Sequence, residues 1–148
     1  MEISAVSHAR GRVFDALERM GGDPTMELWR PDMSDLYPLA VFAALFAGHA
    51  LADYPLQGDW LSKAKNHKLD LVPGERIWPL ALAGHAAIHA AVVWLITGST
   101  LLAVIEFAAH SATDWAKCDG RISYNTDQAI HIACKAFYAA LLFAKAHP

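Results

Sequence analysis

Four long apolar segments, each interrupted by a few ionisable residues, dominate the chain from residue 36 onward. They are LYPLAVFAALFAGHALADY (36–54), IWPLALAGHAAIHAAVVWLIT (77–97), LLAVIEFAAHSATDWAK (101–117) and DQAIHIACKAFYAALLFAKA (127–146). All are Ala- and Leu-rich and too long for ordinary strands, so each predicts a helix. Pro55, the TGS at 97–99 and the CDG at 118–120 end the first three, and Asn125 or Thr126 is the expected N-cap of the fourth. A polar loop of about twenty residues is expected between the first two segments. Residues 1–35 read as a separate polar extension. Val13, Phe14, Leu17 and Met20 fall on one side of an amphipathic helix there, broken by GGDP. This extension is not expected to act as a cleavable signal. The predicted architecture is all-α: a four-helix up-down-up-down bundle over 36–148, preceded by the 1–35 extension.

The chain has 148 residues, a hydrophobic fraction of 55% and a charged fraction of 18%. It is therefore more apolar than the globular average of about 45–50%. The segment 77–97 has no Asp, Glu, Lys or Arg and satisfies the roughly 20-residue requirement for a membrane span. The first segment is marginal, and the third and fourth qualify only if Glu106, Asp114, Asp127 and Lys135 are tolerated inside a membrane. A transmembrane bundle in contact with the lipid bilayer is the expected reading, and a soluble bundle with a very apolar core is the alternative. A net charge of -3 and the absence of a basic run argue against a nucleic-acid partner. Cys118 and Cys134 form no CxxC motif and are expected to be free thiols.

The charges that interrupt the segments follow a rule. Each segment contributes a pair of metal-ligand type at i,i+4: His49 and Asp53, His85 and His89, His110 and Asp114, Asp127 and His131. That spacing stacks two side chains on one helix face, as in the zinc-binding HExxH motif. In an up-down-up-down bundle all four pairs arrive at one end. Burying about eight ionisable groups without a strong partner is very costly, and a divalent metal offsets that cost. Imidazole and carboxylate without thiolate suit zinc, with manganese or iron as alternatives. Eight ligands suit two metals, or one metal with carboxylates orienting the histidines. Such centres activate water for hydrolysis, and a di-iron oxidase is disfavoured because no ExxH pair occurs. His85 and His89 are expected to be neutral ligands, with negative charge from Asp53, Asp114 and Asp127, the candidate catalytic carboxylates. Gly84 is expected to let neighbouring helices approach closely.

HALADYPLQGDWLSKAKN (49–66), HAAIH (85–89), HSATDWAK (110–117) and DQAIH (127–131) resemble a family of small bacterial and phage membrane proteins, domain of unknown function 3307. Its pattern runs HxxxDFxLQ with a following Lys, then HxxxH, HxxxDxxK and DQxxH. The resemblance covers 45–135, with Tyr54 where the family usually has Phe. That family is distantly similar to the LexA-regulated membrane-bound metal-dependent hydrolases, and through them to zinc-dependent phospholipase C and zinc single-strand nucleases. The resemblance implies a phosphoesterase-type site that uses the eight residues as ligands or supports. It also places Gln57, Lys63, Lys117 and Gln128 at polar positions where they either bind substrate oxygens or solvate the bundle mouth. A small-molecule or lipid phosphoester is the implied substrate. A non-enzymatic membrane accessory protein with a structural cluster is the alternative.

Lys63, Lys65, Lys68, Arg76, Lys117 and Arg121 lie in the loops at the site end. By the positive-inside rule they put that end at the cytoplasmic face of the inner membrane. Trp60, Trp78 and Trp115 are expected in the interfacial belt.

Overall fold

The computed structural model describes residues 33–146, with side chains from Tyr37 to Ala144. The expected amphipathic helix within 1–35 lies outside them. Among the described residues there are five helices and no strand: α1 (Met33–Asp53), α2 (Gly58–Ala64), α3 (Trp78–Thr97), α4 (Thr100–Cys118) and α5 (Tyr124–Ala146).

The ends of the long helices follow local chemistry. Pro79 stands in the first turn of α3, where a missing N–H costs nothing. Gly98, at φ 67°, closes α3 in the left-handed conformation, and its N–H reaches Trp94 O at 2.8 Å. Ser99 then caps α4 by accepting from Leu102 N at 3.3 Å. These two residues make α3 and α4 a tight hairpin. The cap of α5 is Ser123, whose Oγ accepts from Thr126 N at 3.1 Å. The expected caps Asn125 and Thr126 already lie inside the helix.

The polar loop contains a helix that periodicity does not reveal. Seven residues, GDWLSKA, are too few to show a repeat. Gly58, at φ 60°, turns the chain into α2. Asp59 and Lys63 then pair across one turn at 2.7 Å.

Contacts between the long helices run antiparallel. Gly48, His49 and Asp53 of α1 meet Val92, His89 and His85 of α3. His85 and Val93 of α3 meet His110 and Leu102 of α4. Glu106 and His110 of α4 meet Lys135 and His131 of α5. The interior has two zones. Leu45, Val93, Leu102 and Tyr138 form an apolar cluster toward one end. Toward the other end the large buried side chains are ionisable apart from Leu82, with Ala52, Ala64, Ala81 and Ala86 packed among them.

Among the described residues one helix, Trp78–Thr97, is long and apolar enough to cross a membrane by length and composition. Tyr37–Asp53 and Gly58–Ala64 meet that standard only together, with a bend of 84° between them.

The expected role of Gly84 is corrected. Gly84 is exposed, and a Cβ built on it meets no atom within 4 Å. The close approach belongs to Gly48, where a Cβ lies 2.4 Å from Val92 Cγ1. An exposed Gly→Ala change in a helix gains about 0.8–1.0 kcal/mol of propensity. At Gly48 the collision with a stiff β-branched side chain outweighs it, because overpacking costs about 1–3 kcal/mol. Gly48→Ala is therefore expected to lower the thermal midpoint, and Gly48→Ala with Val92→Ala to recover part of it. An unchanged midpoint in the single variant would show that α1 and α3 are not in contact there.

Candidate metal centre

The i,i+4 ladders put their side chains on the inward faces of four helices. α1 contributes His49 and Asp53, and α3 contributes His85 and His89. The ladder on α4 is longer than a pair: Glu106, His110 and Asp114, with Lys117 a turn further on. On α5 it is Asp127, His131 and Lys135. All of these are almost fully buried except Asp53, with a side chain 10% exposed, and Lys117, at 24%.

The eight predicted ligands come together. Three groups of donor atoms converge closely enough for a shared cation: Asp53, His85, His89 and His110; Glu106, His110 and His131; Asp114, Asp127 and His131. In the first, Asp53 Oδ1 lies 3.1 Å from His89 Nε2 and 3.3 Å from His85 Nε2. His85 Nε2 lies 3.1 Å from His110 Nε2. Tetrahedral zinc with bonds of about 2.0–2.1 Å puts its ligand atoms roughly 3.3 Å apart. Three edges of the first group, Asp53 to His89, Asp53 to His85 and His85 to His110, are close to that length, and all its donor atoms lie within 4.8 Å of one another. Two imidazole nitrogens at 3.1 Å either share one proton or jointly face a cation, and the neighbouring carboxylate favours a cation. The rings pack tightly as well: His110 stacks on His89 at 3.6 Å and on His131 at 4.1 Å between centroids.

His49 belongs to none of the three groups. Its Nδ1 lies 3.3 Å from His89 Nδ1, and its Nε2 lies 3.3 Å from both Asp53 Oδ2 and Gln128 Oε1. It therefore braces His89 and Asp53.

Lysines separate the carboxylates into two kinds. Lys117 donates to Asp114 Oδ1 at 2.5 Å and to Asp127 Oδ2 at 2.8 Å. Lys65 pairs with the other oxygen of Asp114. Lys135 donates to Glu106 Oε1 at 2.5 Å. No lysine among the described residues lies within ion-pair distance of Asp53, although Lys65 feels its charge from further off. Its neighbours are His49, His85, His89 and the amide of Gln128, which donates to Oδ2 at 3.0 Å. Asp53 is thus the carboxylate whose charge is still available to a metal.

Several buried donor and acceptor atoms have no hydrogen-bond partner: His85 Nδ1, His131 Nε2 and Asp127 Oδ1. The last two lie 3.3 Å apart without hydrogen-bond geometry. Unsatisfied buried groups of this kind are rare and signal a missing ion or a functional role. Together with the donor set, they fit a divalent cation of the zinc type.

The four polar residues at the family's substrate positions divide. Lys117 and Gln128 lie in the cluster, Gln128 touching His49, Asp53 and Asp127. Gln57 Oε1 is buried without a partner. Lys63 is not brought to the cluster, because it is held on the outer face of α2 by Asp59. The lysine that reaches inward is Lys65, which the sequence reading counts only as a loop charge. Burial pushes its ammonium down from the usual lysine range, against the pull of Asp114. The sequence reading also leaves Glu106 and Lys135 out of the site. Glu106 Oε1 lies 3.4 Å from His110 Nδ1, behind the ring whose Nε2 faces His85. Tyr54, the departure from the family's usual Phe, places its hydroxyl 2.8 Å from that of Tyr124. Cys118 and Cys134 are free.

No curated protein and no solved structure matches the chain. The family described as "Protein of unknown function (DUF3307)" matches residues 41–147, a stretch that takes in all four ligand pairs and the buried lysines between them. On that match the chain belongs to the DUF3307 family.

Proposed function

We propose that this protein is a membrane-embedded, metal-dependent hydrolase that acts on a phosphoester, with a lipid phosphoester as one candidate class. The observation that carries the reading is the Asp53, His85, His89 and His110 group, with three edges of 3.1–3.3 Å and a carboxylate that no lysine pairs. Three neutral imidazoles and one carboxylate would hold one ion, of zinc type in preference to manganese or iron. A bound divalent ion supplies a Lewis acid and a water of lowered pKa.

The membrane reading is supported by an inverted distribution of polarity. The interior holds the ionisable residues, while Leu80, Leu95, Leu101, Val104 and Phe137 are more than half exposed. Large apolar side chains facing outward are natural in hydrocarbon and unfavourable in water. A four-helix transmembrane bundle follows if α1, α4 and α5 join α3 in the bilayer. Lys65 and Lys117 point into the cluster, so the positive-inside argument rests on Lys63, Lys68, Arg76 and Arg121. They still favour a cytoplasmic site end.

The chain's own groups have definable tasks. Lys117 is the most exposed of the cluster's cations and stands between Asp114 and Asp127. It can offer its ammonium to a phosphoryl oxygen arriving at the mouth. Asp114 Oδ2, 3.4 Å from His85 Nε2, holds the Lys65 ammonium beside the centre, where that ammonium can give a proton to a leaving group. Gln128 holds Asp53 in place through its amide.

A second reading keeps the metal but makes it structural, and near-complete burial of the cluster favours it. Structural sites are closed, whereas catalytic ones keep an open position. Turnover of phosphodiester and phospholipid substrates by wild type and Asp114→Asn separates the two. The hydrolase reading expects Asp114→Asn to keep its metal and lose about 100-fold in kcat, the scale of general acid–base catalysis. Metal-loaded wild type without turnover, or equal turnover in both proteins, leaves the structural reading in its place.

A further inference from the structure

Two hollows meet on the flank of α3, and none of the candidate metal ligands lines either. The first, of about 340 Å³, is polar and is lined by His67, Lys68, Asp70, Glu75, Arg76 and Trp78. The second, of about 560 Å³, is apolar and runs beside Trp60, Leu61, Leu80, Gly84 and Ile88. Glu75, Arg76 and Ile77 line both, so the polar hollow opens into the apolar one where the chain enters α3. Each volume lies in the roughly 300–1,000 Å³ range of small-ligand sites.

The charges around the polar hollow are unevenly engaged. Lys68 is tied to Asp119 at 2.6 Å. Arg76, Asp70 and Glu75 make no ion pair with any described residue. The hollow thus offers one uncommitted guanidinium and two uncommitted carboxylates. A guanidinium suits a phosphate, and carboxylates suit an ammonium. A purely anionic head would meet two carboxylates and only one free cation.

The apolar hollow is suited to a chain. Ile88 lies eight positions after Leu80, about 12 Å along the helix. Gly84 forms its floor, with open space where a Cβ would stand. His85 and His89 lie on the buried side of the same turns.

We propose that this composite hollow binds one phospholipid whose head carries both a phosphate and a free amine. Arg76 takes the phosphate, Asp70 and Glu75 take the ammonium, and an acyl chain lies along Leu80, Gly84 and Ile88. The proposal rests on the membrane part of the function proposed above but is independent of the metal.

The test uses the full chain, extracted from membranes and reconstituted in discs of equal phosphatidylethanolamine and phosphatidylglycerol, with retained lipid read by native mass spectrometry. Wild type is expected to retain one phospholipid, the amine-bearing one preferred by about tenfold. Gly84→Phe fills the groove in space that is already open. It is expected to lose the retained lipid while keeping wild-type helicity and metal content. Arg76→Gln is expected to weaken retention and flatten the headgroup preference. Equal retention by wild type and Gly84→Phe overturns the site. Equal retention of both lipids by wild type overturns the assignment of the head. Alkaline carbonate extraction of membranes separates the two levels. A chain that stays in the membrane but retains no lipid sinks only this site, and a chain released by carbonate sinks the membrane reading as well.

Discussion

Protein purified in mild detergent is expected to carry close to one divalent ion per chain, and Asp53→Asn is expected to lose it. The substitution keeps the volume and the hydrogen bond from Gln128 but removes the charge. Asp53 supplies the charge that the centre needs, because the other buried carboxylates are already matched by Lys65, Lys117 and Lys135. His85→Ala is expected to have the same effect, since His85 Nε2 touches Asp53, His110 and Asp114 at once. Asp114→Asn should keep the ion. Elemental analysis of the four proteins tests this directly. Equal metal in wild type and Asp53→Asn removes the centre as assigned. Two ions per chain would instead engage Asp114, Asp127 and His131 and displace Lys117 from between the carboxylates. Stability should follow the metal. A ligand present at a thousand times its Kd stabilises by about 4 kcal/mol, so chelation is expected to lower the melting temperature sharply in wild type and hardly at all in Asp53→Asn.

What could be read from the sequence, and what could not, divides along physical lines. The convergence of His49, Asp53, His85, His89, His110, Asp114, Asp127 and His131 follows from two local facts. The i,i+4 spacing fixes the face, and alternating helix direction fixes the end. Neither requires knowing which side chain touches which. The role of Lys65 depends instead on how the chain turns after α2. Lys63 and Lys65 sit two residues apart in similar surroundings, and only the tertiary path buries one and exposes the other. Glu106 and Lys135 are visible as anomalous charges in apolar helices. Their 29-residue separation hides the fact that they answer each other. The glycines make the same point. Gly84 and Gly48 stand in the same local context, each between an alanine and a histidine. Nothing local says that Val92 presses on Gly48 and that Gly84 faces outward. Likewise, the division of the eight ligands into one lysine-free carboxylate and two lysine-bound ones is a property of distances alone.

The buried pair behind His110 gives the second large effect. Lys135→Met is expected to destabilise the fold by about 3–5 kcal/mol, because it leaves Glu106 charged, buried and unmatched. Lys135 Nζ also lies 5.9 Å from the Tyr138 ring centroid, so the loss extends to that contact. The double variant Glu106→Gln with Lys135→Met removes both charges at once, and replacing a buried pair is often close to neutral. Unfolding in detergent should therefore show the double variant more stable than the single one. Metal affinity should not recover with it. Glu106 stands 3.4 Å from His110 Nδ1, and its charge favours the tautomer that presents Nε2 to His85. Loss of such a supporting carboxylate typically costs about 10–100-fold in metal affinity. A double variant that regains stability but binds metal more weakly identifies Glu106 as the residue that orients His110. A double variant that regains both reduces the pair to a structural tie between α4 and α5, with His110 held by its stacking on His89 and His131 alone.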